Sequence, residues 1–135
     1  MNDRELLEMA AKAAGIAVPK LVKGVKYPRH YLDETGIHED ISGGGDGTRW
    51  RSWSPLHNDG DALRLAVKLG FTLSIGPYGC MVRYDRVNGD LWAEERRPGD
   101  GPHDIAEATR RAIVRAAAEI GKTVSASGKP PNENT

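Results

Sequence analysis

Apolar residues recur at helical spacing in three stretches of the chain and alternate at strand spacing in a fourth, and these patterns predict its elements. In residues 53–70, WSPLHNDGDALRLAVKLG, the side chains of Ala62, Leu65, Ala66 and Leu69 share one helical face, and Gly70 supplies the end. Trp53, Pro55 and Leu56 give this helix a bulky, stiff entry, and Asp59 or Asp61 can cap its orphan amides. Near the start of the chain, Asn2-Asp3-Arg4-Glu5 has the form of a capping box. Leu6, Ala10, Ala13 and Ala14 then make a thin apolar stripe that Gly15 and Pro19 close. A third helix is predicted from a second capping-box pattern, Asp104 to Glu107. Ile105, Ala108, Ala112, Ala116 and Ile120 hold its apolar face and Gly121 ends it. Glu107, Arg110, Arg111, Arg115 and Glu119 fall on the other face, where a solvated surface is expected.

Between the second and third helices the period drops to two. Phe71, Leu73 and Ile75 alternate with Thr72 and Ser74, and Cys80, Val82 and Tyr84 alternate with Met81, Arg83 and Asp85. Gly76-Pro77-Tyr78-Gly79 predicts a tight turn joining these strands, and Asn88-Gly89 a second turn leading to a third strand over 90–94. A further strand is expected over 21–27, LVKGVKY, where β-branched residues are interrupted by Gly24. Residues 28–52 keep no sustained period and read as a long loop or insertion, with one short strand near 48–53 and a linker-like run, SGGGDGT, at 42–48. Residues 122–135 carry too little apolar content to order themselves and read as a disordered tail. The fold class is therefore α+β. It is a layered sandwich in which an antiparallel sheet, the three-stranded meander plus one or two N-terminal strands, packs with about three helices in one domain over 1–121.

Composition narrows the function classes. A chain of 135 residues with 39% hydrophobic residues can bury one modest core. Nineteen basic residues cancel nineteen acidic ones, so no global field draws the protein to DNA or to an anionic membrane. No apolar run approaches the roughly 20 residues a spanning helix needs. Cys80 is the only cysteine, and with no charged-then-apolar leader it points to a reducing cytoplasm.

The candidate chemistry concentrates before the central helix. Arg49-Trp50-Arg51 sets two guanidinium groups about an indole, next to glycines and near His57, a combination that suits a phosphate and a stacked base or a protein-interface hot spot. The ligand- or partner-binding candidates are Arg49, Trp50, Arg51, His57, His30 and Tyr31. His30, Asp33, Glu34, His38, Glu39 and Asp40 offer nitrogen and oxygen ligands but no recognised metal spacing, so no metal and no cofactor is assigned. The glycines of 43–48 lack the Lys and Ser/Thr that follow in a phosphate-binding loop. Asp59 and Asp61 are explained by their place in a first helical turn, and Cys80 as a buried thiol without an activating base. No Ser/His/Asp, Cys/His or paired-carboxylate spacing stands out, which favours a binding protein over an enzyme.

The run from Trp53-Ser54-Pro55-Leu56 through Asp59-Gly60-Asp61-Ala62-Leu63-Arg64-Leu65-Ala66, then a meander, then Glu107-Ala108-Thr109-Arg110-Arg111-Ala112-Ile113, resembles the phage ABA-sandwich-domain proteins. The likeness covers residues 53–121 and, weakly, the first helix; Ser54 stands where the family usually has Asn. The resemblance implies a small accessory protein of a temperate phage or prophage, working in the host bacterial cytoplasm. It carries over no functional residue. The expected function is to counter host antiviral defence by stoichiometric binding. That would either block a CRISPR-type defence complex, as an anti-CRISPR does, or sequester a nucleotide immune signal. A metal-dependent phosphodiesterase using the 30–40 cluster and a phage structural or assembly protein are the alternatives, and a homo-oligomer is a further expectation.

Overall fold

The computed structural model describes residues 2–16, 30–33, 36–42, 47–84, 91–96 and 102–127. The first helix, α1 (Asp3–Ala13), starts at the predicted capping box: Asn2 Oδ1 accepts the Glu5 amide at 2.9 Å, and Glu5 Oε2 accepts the Asn2 amide at 3.4 Å. Three short strands follow, β1 (His30–Asp33), β2 (Gly36–Asp40) and β3 (Trp50–Trp53), then the central helix α2 (Asp59–Leu69). The cap of α2 is neither aspartate that the sequence offered. Asn58 Oδ1 accepts the Asp61 amide at 2.8 Å, which frees both carboxylates for tertiary contacts, and Gly70 ends the helix at φ 70° as expected.

The meander forms as predicted from β4 (Thr72–Gly76), β5 (Gly79–Tyr84) and β6 (Leu91–Arg96), antiparallel in that order. Gly76 pairs with Gly79 across the two-residue turn. One face of β5, Cys80 and Val82, is buried against the core, to which Ile113, Val114 and Ile120 of the last helix, α3 (Pro102–Ser127), also belong. That helix begins two residues before the expected capping box, with Pro102 in its first positions, where a missing amide proton costs nothing.

Three expectations need correcting. Gly121 does not end α3: the helix runs on to Ser127, covering the first six residues of the expected tail, while 128–135 lie outside the described residues. Gly121 instead lets two helices touch, since a Cβ there would sit 1.9 Å from the carbonyl oxygen of Met9. α1 and α3 pack on each other, and many of their buried side chains are small: Ala10, Ala11 and Ala13 on α1, and Ala112, Ala116 and Ala117 among those on α3. Second, 28–52 is not a loop with one strand. β1, β2 and β3 form a separate antiparallel sheet in the order β1-β2-β3 and add no strand to the meander. Ile37 and Trp53, opposite each other in that sheet, join Leu56 in the common core.

The third correction concerns the arginine face of α3, expected to be solvated. Arg110 donates to the Leu56 carbonyl at 2.9 Å and to Asp59 at 2.7 Å, Arg111 to Asp3 at 3.2 Å, and Arg115 to the Glu94 carbonyl at 3.3 Å and to the Glu95 carboxylate. These arginines tether α3 to the start of α2, to α1 and to β6. The strand expected over 21–27, the Asn88-Gly89 turn and the glycines at 43–46 lie outside the described residues. No helix among the described residues is long and apolar enough to cross a membrane.

Candidate ligand-binding site

The first sheet carries His30, Tyr31, Trp50 and Arg51 of the sequence-predicted site residues, and its register divides them between two faces. His30, Glu39 and Arg51 lie side by side across the three strands, in the same alternation as buried Ile37 and Trp53. Tyr31, His38, Asp40, Trp50 and Ser52 belong to the opposite alternation. Arg49-Trp50-Arg51 is therefore not one cluster: the indole turns to the outer face and Arg51 to the inner one.

The inner face is a chain of charges. His30 Nε2 lies 3.1 Å from Glu39 Oε2, and Arg51 Nε donates to Glu39 Oε1 at 3.4 Å. The far end of the same guanidinium grips Asp61 on α2, Nη2 to Oδ1 at 2.5 Å and Nη1 to Oδ2 at 3.3 Å. The Ser54 amide donates to Asp61 Oδ2 at 2.9 Å and Arg64 Nη2 to Oδ1 at 2.7 Å. Asp61 is 1% exposed. Burial alone would push its carboxyl up, but donation by Arg51, the Ser54 amide and Arg64, with the Arg51 charge, outweighs burial and holds it below the usual carboxylate value. The Asp61 hydrogen bond in turn raises Arg51, against the opposing pull of its own burial. Both groups stay ionised across the physiological range, and their chemistry is that of a clamp between β3 and α2.

The outer face is aromatic. The Tyr31 ring stacks on His38 with centroids 4.9 Å apart and planes 29° apart, and meets Trp50 edge-on at 4.8 Å and 82°. Trp50 Nε1 donates to the Gly47 carbonyl at 2.8 Å, which fixes the indole. Buried Asp40 binds both Ser42 and Gly47. One carboxylate oxygen accepts the Ser42 amide at 2.9 Å together with the Ser42 hydroxyl, and the other accepts the Gly47 amide at 3.0 Å. Arg49 stands exposed at the mouth of β3, its carbonyl accepting the Ile41 amide at 2.9 Å. Tyr31, His38 and Trp50 thus make a half-buried aromatic ledge.

Of the six sequence candidates, the fold brings Tyr31 and Trp50 together on this ledge with Arg49 next to Trp50 in the chain. It assigns His30 and Arg51 to the inner clamp. His57 is exposed in the turn ahead of α2, its Nδ1 3.0 Å from Ser54 Oγ. Sequence reasoning missed His38 as a ledge residue and Asp61 as the clamp acceptor. Only the β1–β2 register, which no turn motif advertised, places His38 beside Tyr31. The acidic stretch 30–40 does not converge either: His30 and Glu39 face inward, His38 and Asp40 outward, and no group of three His, Cys, Asp or Glu among the described residues could hold a metal ion. Cys80 is 2% exposed, and burial pushes its thiol up while a hydrogen bond with Thr109 pulls the other way. No family model, curated protein or solved structure matches the chain.

Proposed function

We propose that this is a phage accessory protein that counters host antiviral defence by stoichiometric binding, and that its ligand is a nucleotide immune signal held on the outer face of the first sheet. The observation that carries the reading is the aromatic ledge of Tyr31, His38 and Trp50, with the exposed Arg49 preceding Trp50 in the chain. Every nucleobase has a π-face to stack on such rings, and the guanidinium of the exposed Arg49, next to Trp50 in the chain, suits a phosphate. The phage setting rests on the resemblance of 53–121 to phage ABA-sandwich-domain proteins.

The test is calorimetric titration against cyclic nucleotides, with pull-down of host defence complexes as its second arm. The expected outcome is saturable binding at a fixed ratio, recovery of the nucleotide intact, and a loss of about 10-fold or more in affinity for Trp50→Ala, the scale of one lost stacking partner. Turnover of the nucleotide would favour the phosphodiesterase instead. Capture of a defence complex without nucleotide binding would transfer the ledge to a protein partner, for which aromatic and arginine residues also serve as hot spots. No binding in either arm would overturn the proposal.

A further inference from the structure

Among the described residues, the second sheet leaves one edge unguarded. There β4 pairs only with β5, and its five residues, Thr72, Leu73, Ser74, Ile75 and Gly76, carry no charge and no proline. Natural edge strands are commonly protected by lysine, proline, bulges or a covering element. The other edge of this sheet is protected: β6 carries Glu94, Glu95 and Arg96, and Arg115 donates to the Glu94 carbonyl. Along β4, by contrast, Ile75 is 56% exposed. Between α2, β4 and α3 runs an apolar groove of about 380 Å³ whose walls include Leu63, Leu73, Ile75, Ile105 and Ile113. Leu63, one wall of it, is itself 57% exposed.

We infer that this edge is completed by β4 of a second copy of the chain. The register follows from the turn. The Gly76–Gly79 pair closes a two-residue hairpin and is hydrogen-bonded, so Ser74 and Thr72 also bond to β5, while the backbone groups of Leu73 and Ile75 point to the open edge. An antiparallel partner must present the same two residues. A two-fold axis through Ser74 does so, setting each Leu73 opposite the Ile75 of the other copy as hydrogen-bonded pairs, with the two Ser74 residues facing each other. The match is self-complementary, as a two-fold interface requires. Leu73 and Ile75 side chains from both copies then make one apolar row that closes the groove at its open side. The formal net charge of zero sets no long-range repulsion between copies.

Two substitutions at exposed positions test the pairing. Wild type is expected to sediment as a dimer, and Ile75→Lys as a monomer of half that mass with an unchanged circular dichroism spectrum. Ser74→Cys is expected to cross-link under diamide, because non-hydrogen-bonded antiparallel partners lie about 4.5 Å apart at Cα, within disulfide reach. Thr72→Cys is the control, since the two copies of residue 72 would be four residues out of register, about 13 Å apart. Native Cys80 lies on the buried face and does not compete. A wild-type monomer at all concentrations, a dimer that survives Ile75→Lys, or a Ser74→Cys protein that stays uncrosslinked would each overturn the inference. Nucleotide titration of the Ile75→Lys monomer separates this result from the fate of the ledge.

Discussion

Asp61 concentrates charge at the junction of β3 and α2, since its carboxylate accepts from Arg51, Arg64 and the Ser54 amide while almost wholly removed from water. A carboxylate whose folded pKa is depressed stabilises the folded state fully above its unfolded value, about 3.9, and that contribution drains away as pH falls through the folded value. Wild type is therefore expected to lose stability below about pH 4. Asp61→Asn keeps the shape and removes the charge, leaving Arg51 without its strongest acceptor, and should cost about 3 kcal/mol at neutral pH. The gap between the two proteins should narrow towards about pH 3. Urea midpoints at both pH values check this, and a gap independent of pH would contradict the assignment. The sequence pointed to a different role for this residue. A carboxylate in a first helical turn has a sufficient local explanation as a cap, and nothing nearby in the chain reveals that Asn58 caps instead and that an arginine from a strand comes to claim Asp61.

At the scale of elements, Gly121 shows how one residue type carries two meanings. A glycine after a periodic run reads as a helix end, and Gly70, at φ 70° with open space where a Cβ would go, is one. Gly121 follows the same kind of run but sits inside α3, because the backbone of α1 at Met9 occupies the space a side chain would need. Local propensity favours alanine over glycine in a helix by about 1 kcal/mol, so Gly121→Ala would stabilise an isolated α3. In the folded protein the added methyl must push the two helices apart, and the substitution is expected to destabilise by about 3 kcal/mol, read as a lowered urea midpoint. Lys122→Ala, at a solvated neighbour, should stay within about 0.5 kcal/mol of wild type. Other elements were legible for reasons now visible. The meander announces itself through strict alternation and a Gly-Pro-Tyr-Gly turn, and α1 through a capping box that forms as written. The first sheet gave no such signal. Its strands span four or five residues and place polar or aromatic groups on both faces, with Ile37 and Trp53 as the inner apolar pair, so no period of two emerges.

For the whole molecule, the consequence is an uneven structure. The meander, α1 and α3 supply most of the apolar core, whereas the first sheet contributes Ile37 and Trp53 to it and is joined to α2 by the Arg51–Asp61 clamp. The ledge is carried on the more weakly attached part. Arg51→Ala removes this clamp without touching Tyr31, His38 or Trp50, and it leaves a buried carboxylate with Arg64 as its remaining guanidinium. Local opening of the first sheet should then become easier than global unfolding, since regions with fewer buried contacts open at lower free energy. Amides of β1, β2 and β3 are expected to exchange with solvent at least about 10-fold faster in Arg51→Ala than in wild type, while those of α1, α3 and β5 change in step with global stability alone. A ligand that needs the sheet ordered would lose affinity in proportion to the fraction of closed sheet, although the substituted side chain lies on the opposite face from it. Hydrogen exchange resolved by fragment checks the first part and titration the second. Uniform acceleration across the chain would mean that the clamp stabilises the molecule as one unit, and the sheet would then be no independent carrier of the site.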